Sequence, residues 1–429
     1  MMLLLSIVAI LLFLPMMTRW QVMGDYTTHN QLALDAITNL GEVLRNTPHF
    51  LYHITVAGVY NLPFIQDINV AAVWVLLGCF IATLIIIYWQ LRQRTSLPPT
   101  WIVISVLGLL SVCLSIMMPI NFFTPENLYF GYLVPHVYHN PTMIIMKPFA
   151  IVIFFMALPL FFNSNPLSRW WILPLAVLTS VSLIAKPSFI IAFVPALGLI
   201  TFGLMLRRIA DVPSILKHPQ TIIQAFTFKD KAHADTLPLM LRPSYINWSV
   251  LIIGMVIPAI SVLISQRITW TSAGGIGIDP LRVLYEWTLH YEDNADQQLV
   301  YKFIMSLAFP LLVYGLHITK THKNLMLNTA WLMFAVSAIF YYLFVDYTVI
   351  AAGDFGWSIQ IAVLLLYITA TIFMLQEYGH NLMGEALSSK QWAIVIVTLL
   401  TFALHIVAGI HWYRLHMSQY LEELIYTWW

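Results

Sequence analysis

Apolar residues in this chain come in long runs parted by short polar stretches, without the strict alternation of strands or the narrow apolar stripe of surface helices. A hydrocarbon core about 30 Å thick needs roughly 20 helical residues at about 1.5 Å each. Runs that meet or approach this length lie near 2–18, 70–90, 101–119, 148–163, 170–186, 188–206, 248–266, 300–318, 326–347, 358–376 and 392–410. They predict an all-α fold, a polytopic transmembrane helical bundle of about 10–11 spans that forms one domain over the whole chain. Lys186-Pro187 interrupts the apolar stretch 170–206 and reads as a hairpin tip, because proline cannot serve as a donor inside a helix. The first run lacks a basic leader and a small-residue cleavage site, so it reads as a retained span.

Two connections stand apart from the runs. Residues 19–69 form a loop of about 50 residues, against the usual 2–8 or so between packed helices. Within it Leu32, Leu34, Ile37, Leu40, Val43 and Leu44 recur at near-helical spacing, which predicts an amphipathic helix along the membrane surface; a second amphipathic stretch follows Pro48, from His49 to Leu62. Residues 207–247 are basic and punctuated by proline, and read as a cytoplasmic connection touching anionic lipid.

Composition removes the soluble alternative. The 429 residues are 60% hydrophobic and only 9% charged, where soluble chains carry about 25% charged residues. A net charge of +1 supplies no field for nucleic acid, so none is expected as a partner. Cys79 and Cys113 lie inside apolar runs and imply no disulfide framework. Charge placement is more informative than charge total. Arg92, Arg94, Arg207, Arg208, Lys217, Lys229, Lys231, Arg242, Lys320 and Lys323 fall on one side of the counted spans, which the distribution of basic residues marks as cytoplasmic. The connections 19–69, 120–147, 267–299 and 348–357 then share the non-cytoplasmic face.

Candidate chemistry gathers on that face. Gly24-Asp25-Tyr26-Thr27-Thr28-His29-Asn30 follows the first span at the membrane boundary, where a carboxylate can take a proton from a sugar hydroxyl or help hold a divalent cation. Asp25 can equally cap the helix behind it. The next outer connection carries Glu126, then Tyr138-His139-Asn140-Pro141-Thr142 and Lys147; Lys186 sits at the following outer turn. An ammonium at interface depth binds phosphate, or else snorkels to water without a ligand. In 267–299 a glycine-rich turn precedes Arg282, whose guanidinium can clamp a phosphate, and Asp354 lies in the short connection 348–357. The histidines read as mostly isolated, with no His-x-x-x-His metal pair on a helix, and His405 as a hydrogen-bonded core residue of its span.

An outer acidic residue after the first span, a long first loop with surface helices, and further functional loops on that face resemble the GT-C superfamily of polyprenyl-phosphate-sugar-dependent glycosyltransferases. The resemblance is one of arrangement, covers the N-terminal half best, and lacks the paired acidic signature, since Tyr26 follows Asp25. It implies an integral protein of a bacterial inner membrane that transfers a sugar from an isoprenoid-phosphate carrier on its non-cytoplasmic face. It casts Asp25 as catalytic base or metal ligand and Glu126 as the second acid; His29, Asn30, His139, Lys147, Lys186, Arg282 and Asp354 are the substrate-binding candidates that the loops themselves offer. Two other classes fit the same composition. A transporter or flippase should carry polar groups on discontinuous helices at mid-membrane depth. A non-catalytic subunit would have membrane-protein partners, and the aromatic tail Tyr426-Thr427-Trp428-Trp429 suits such a role.

Overall fold

The computed structural model describes residues 1–21, 24–114, 132–137, 140–162, 167–210, 245–269, 275–288, 295–347, 355–379 and 387–418. Glu126, His139 and Asp354 lie outside them. Within them every predicted apolar run is helical over most of its length, the run 326–347 ending in a short strand and the run 300–318 breaking at Leu307. Seven helical stretches are long and apolar enough to span a membrane: α1 (Met2–Trp20), α5 (Ile68–Arg94), α7 (Pro141–Phe162), the rod joining α10 (Tyr245–Leu251), a π-helical segment Ile252–Val256 and α11 (Ile257–Thr269), and later α16 (Leu325–Leu343), α17 (Gly356–Tyr378) and α18 (Ser389–Met417). An eighth arises if α13 (Ala295–Ser306) and α14 (Ala308–Leu316), bent by 63° at their junction, are one broken span. Three shorter apolar helices, α6 (Pro99–Cys113), α8 (Ile172–Ala185) and α9 (Ser188–Ala210), occupy the remaining runs. The chain is a polytopic helical membrane protein. A short ribbon, β1 (Ile276–Ile278) paired antiparallel with β2 (Phe344–Asp346), interrupts the all-α pattern.

Burial orders the bundle. In α17, 83% of the apolar window is enclosed by protein, against 28% in α1 and α18, so α17 forms the axis and the latter two present most of their surface outward. Helices α9 and α16 flank α17, while α5 and α7 pack on each other. Helices α6 and α18 cross so closely that a Cβ at Gly409 would overlap the Ser111 carbonyl oxygen, a contact that small residues permit.

The long first loop folds into three helices: α2 (Gly24–Thr38), α3 (Leu40–Asn46) and α4 (Leu51–Tyr60). The single amphipathic helix expected through Leu44 divides at Asn39, whose side chain accepts a hydrogen bond from the Glu42 amide and caps α3. Its buried face also differs from the leucine pattern. Leu34 and Leu40 are exposed, and α2 buries Tyr26, Asn30 and Ala33 instead. A buried hydrogen-bond network, described next, sets that face.

Candidate functional site

One end of the bundle collects the termini of many elements: the end of α1, all of α2 and α4, the starts of α5, α7 and α17, and the α8–α9 turn. Asn140 is the hinge of this end. Its Oδ1 accepts from the Thr142 and Met143 amides at 3.1 and 3.3 Å and so caps α7, with Pro141 at the first helical position. Capping fixes which way the amide points. Its Nδ2 therefore faces the Asp25 carboxylate, to which it donates at 3.2 Å.

The same Asn140 oxygen accepts from the Thr142 hydroxyl at 2.5 Å, and that hydroxyl accepts from the Lys186 ammonium at 3.3 Å. Lys186 is drawn inward by its backbone. It ends α8 with φ −168° and ψ 130°, the extended conformation that a following proline demands, and α9 starts just beyond Pro187. The side chain is 5% exposed and its Nζ lies 4.8 Å from the Trp357 ring centroid, over the face of the indole. Asp25, in the first turn of α2 and exposed, is thus joined to a buried cation through two side chains of α7.

Histidines occupy the neighbouring volume. His29 lies one helical turn beyond Asp25, and its Nδ1 is 2.8 Å from Nε2 of His53 on α4. The His49 ring centroid is 6.4 Å from that of His29. Burial, then His53, Lys186 and His49, push the His29 imidazolium down to about 2. Burial followed by Lys186 pushes His49 down to about 3, and burial pushes His53 down to about 4. At neutral pH all three rings are uncharged. The reading of these histidines as isolated is corrected here: His49 and His53 stand four residues apart, and that spacing was the available signal.

Behind the histidines lies a scaffold. Asn30 donates through Nδ2 to Gln21 Oε1 at 2.9 Å and Asn69 Oδ1 at 2.8 Å, and accepts from the Tyr52 hydroxyl at 2.7 Å. It thereby ties α1, α2, α4 and α5 together at 3% exposure, which gives this predicted substrate-binding residue a structural task. Lys147 was expected to meet phosphate or snorkel at the interface. It is instead 1% exposed and donates to the Pro135 and His136 carbonyls at 3.1 and 2.7 Å. Those bonds hold the buried, irregular stretch 132–137, to which Tyr26 adds a bond from its hydroxyl to the Val137 carbonyl at 3.1 Å. Irregular backbone at membrane depth needs such donors. Arg282 opens α12 (Arg282–Thr288), which packs on α16, and is half-buried there.

Among the described residues no group of three His, Cys, Asp or Glu side chains is placed to hold a metal ion. Comparison with protein families, characterised proteins and solved structures returned no match.

At the junction of α13 and α14 a second polar group lies among the spans. The Ser306 hydroxyl donates to the Lys302 carbonyl at 2.7 Å and accepts from the Leu133 amide at 2.8 Å; Tyr367 donates to the Ser306 carbonyl at 2.8 Å, and its oxygen is 3.2 Å from His405 Nε2. His405 is hydrogen-bonded within the core, as expected.

Proposed function

We propose that the chain is a membrane glycosyltransferase that moves a sugar from a polyprenyl-phosphate carrier to an acceptor on the non-cytoplasmic face. The observation that carries this reading is the bonded chain Asp25–Asn140–Thr142–Lys186, which couples an accessible carboxylate to a buried ammonium across three separate segments. In the proposed reaction the acceptor hydroxyl oxygen attacks the anomeric carbon and its proton passes to the Asp25 carboxylate. The bond from that carbon to the phosphate oxygen breaks, and the phosphate leaves with the electron pair. Lys186 lies where it can offset the charge growing on the leaving group, and Asn140 orients the base. The GT-C resemblance supports the same assignment of Asp25.

Purified protein in nanodiscs, given a radiolabelled polyprenyl-phosphate sugar and a hydroxyl acceptor, tests the reading. Transfer by the native chain and its loss in Asp25→Asn, with unchanged thermal stability, are expected. Full activity in Asp25→Asn would refute the assignment. Transport is the second reading, favoured by the break between α13 and α14. The polar groups at that break bond to one another and to backbone, an arrangement that closes the junction and favours the transferase.

A further inference from the structure

The β1–β2 ribbon stands outside the Asp25–Lys186 network, and its chemistry is mainly apolar. Its register sets Ile276 against Asp346, Gly277 against Val345 and Ile278 against Phe344. Opposed residues share a face, so Gly277 and the buried Val345 point one way, while Ile276, Ile278 and Phe344 point the other. On that second face Ile276 is 61% and Ile278 70% exposed. Both side chains gain if apolar material takes the place of water there.

The height of the ribbon is set by the helix that it hangs from. The Asp279 amide donates to the Leu343 carbonyl at 3.0 Å and the Leu281 amide to the Tyr342 carbonyl at 2.7 Å, satisfying two carbonyls at the C-terminal end of α16. Leu281 takes a left-handed φ of 63° in making its bond, a conformation that a leucine keeps only where its surroundings hold it. The 19 residues of α16 measure about 28 Å as a helix, so this spanning helix ends at the hydrocarbon boundary. The ribbon therefore begins at headgroup depth.

Apolar surface runs on from the helix into the ribbon. Ile339 and Leu343, one turn apart, are exposed on a spanning helix and so face lipid; Phe344 follows, its ring centroid 5.6 Å from that of Phe340 and 6.1 Å from that of Phe355. The main chain limits how deep this surface can lie. Because the Tyr347 amide donates to the Gly275 carbonyl at 3.2 Å, the bonds between the strands fall at 275, 277 and 279, and the main-chain groups of Ile276 and Ile278 turn away from β2. Such groups suit the water among headgroups and not hydrocarbon. Asp346 and Tyr347, at the ribbon end farther from α16, suit the same layer.

We propose that the ribbon is seated on the bilayer at the Asp25 end, with Ile276 and Ile278 at the boundary between headgroups and acyl chains. The partner is lipid, because this surface continues the lipid-facing side of α16. Seated there, the ribbon fixes the depth of α16 and of α12, which packs on it. The inference stands apart from the transferase reading.

Depth-dependent quenching of the full chain in nanodiscs tests it. Ile276→Cys and Ile278→Cys, each with Cys79→Ala and Cys113→Ala, are labelled with a small fluorophore, and the lipids carry a spin label either just below the headgroup or near the acyl terminus. The shallow label is expected to quench both positions at least about twofold better than the deep one, as for groups about 5–10 Å into the interface. The order should reverse for Leu400→Cys, exposed near the middle of α18. Photolabelling of the native chain by a lipid with a diazirine just below its headgroup needs no substitution, and mass mapping should find the label on the peptide containing Ile276 and Ile278. Quenching by aqueous iodide and by neither lipid label would place the ribbon in water and overturn the proposal. Stronger quenching by the deep label would overturn the assigned depth, and disulfide crosslinks of Ile278→Cys between copies, without lipid quenching, would make a second copy the occupant instead.

Discussion

The two ends of the bundle use their cations in opposite ways. Helices α5 and α17 both run from the Asp25 end to the other, where Arg92 donates to the Leu97 carbonyl at 2.8 Å, Gln376 reaches the Arg94 carbonyl at 2.9 Å, and Lys320 pairs with Glu377 near the surface. His317 donates through Nδ1 to the Val313 carbonyl and accepts from the Tyr378 hydroxyl. Each of these contacts caps a helix end or ties neighbouring ends together, and the Lys320 side chain remains 59% exposed. At the Asp25 end Lys147 and Lys186 are 1% and 5% exposed, so each ammonium has forfeited most of its hydration. Lys147 recovers it from two carbonyls. Lys186 lies beside a threonine, an indole and the imidazoles of His29 and His49.

That contrast can be broken by substitution, with the largest effect expected in catalysis. Asp25→Asn should lower sugar transfer by about 10³-fold, the usual weight of a general base, whereas Lys320→Gln at the opposite end should leave it within roughly twofold; initial rates compare them. Next in size is scaffold stability. Lys147→Met strands the Pro135 and His136 carbonyls and should cost about 3 kcal/mol, against less than about 1 kcal/mol for Lys320→Met, as read by unfolding in detergent.

Acidification sharpens the comparison further. His53 is held neutral in the fold, down to about 4, whereas an unfolded histidine protonates near 6.5. Between those values the unfolded chain binds the additional proton, so its stabilising contribution is full above the unfolded value and drains away as pH falls. Lowering pH from about 7.5 to 5 should remove about 2 kcal/mol through His53, and His53→Gln should flatten that part of the profile. The smallest effect belongs to the exposed pair: Glu377→Gln should shift stability by less than about 1 kcal/mol, less still in high salt, as thermal scans at two ionic strengths would show.

How much of this the sequence disclosed depends on the length of the pattern involved. Apolar runs of membrane length announced every long helix, since each is repeated over many residues. Helices in the first long loop were expected, but their buried face was not: Asn30 and Tyr26 outrank Leu34 and Leu40 because hydrogen bonds to Gln21, Asn69 and the Val137 carbonyl select it. Asp25 and Lys186 were named from position alone, and the structure joins them. Asn140 and Thr142, which make the join, read in sequence as part of the outer connection before a span at 148–163, whereas the helix begins at Pro141 and Asn140 caps it. His49 and His53 carried a visible four-residue spacing, yet only the fold of α2 against α4 brings His29 to them.

The central claim is that Asp25 and Lys186 act in one site. A double-mutant cycle on transfer rate tests it most directly, with Asp25→Asn, Lys186→Gln and the combined variant measured under one set of conditions. Strong coupling is predicted, with the combined variant hardly slower than the worse single substitution. Losses that simply multiply would place the two residues in separate roles and contradict the account.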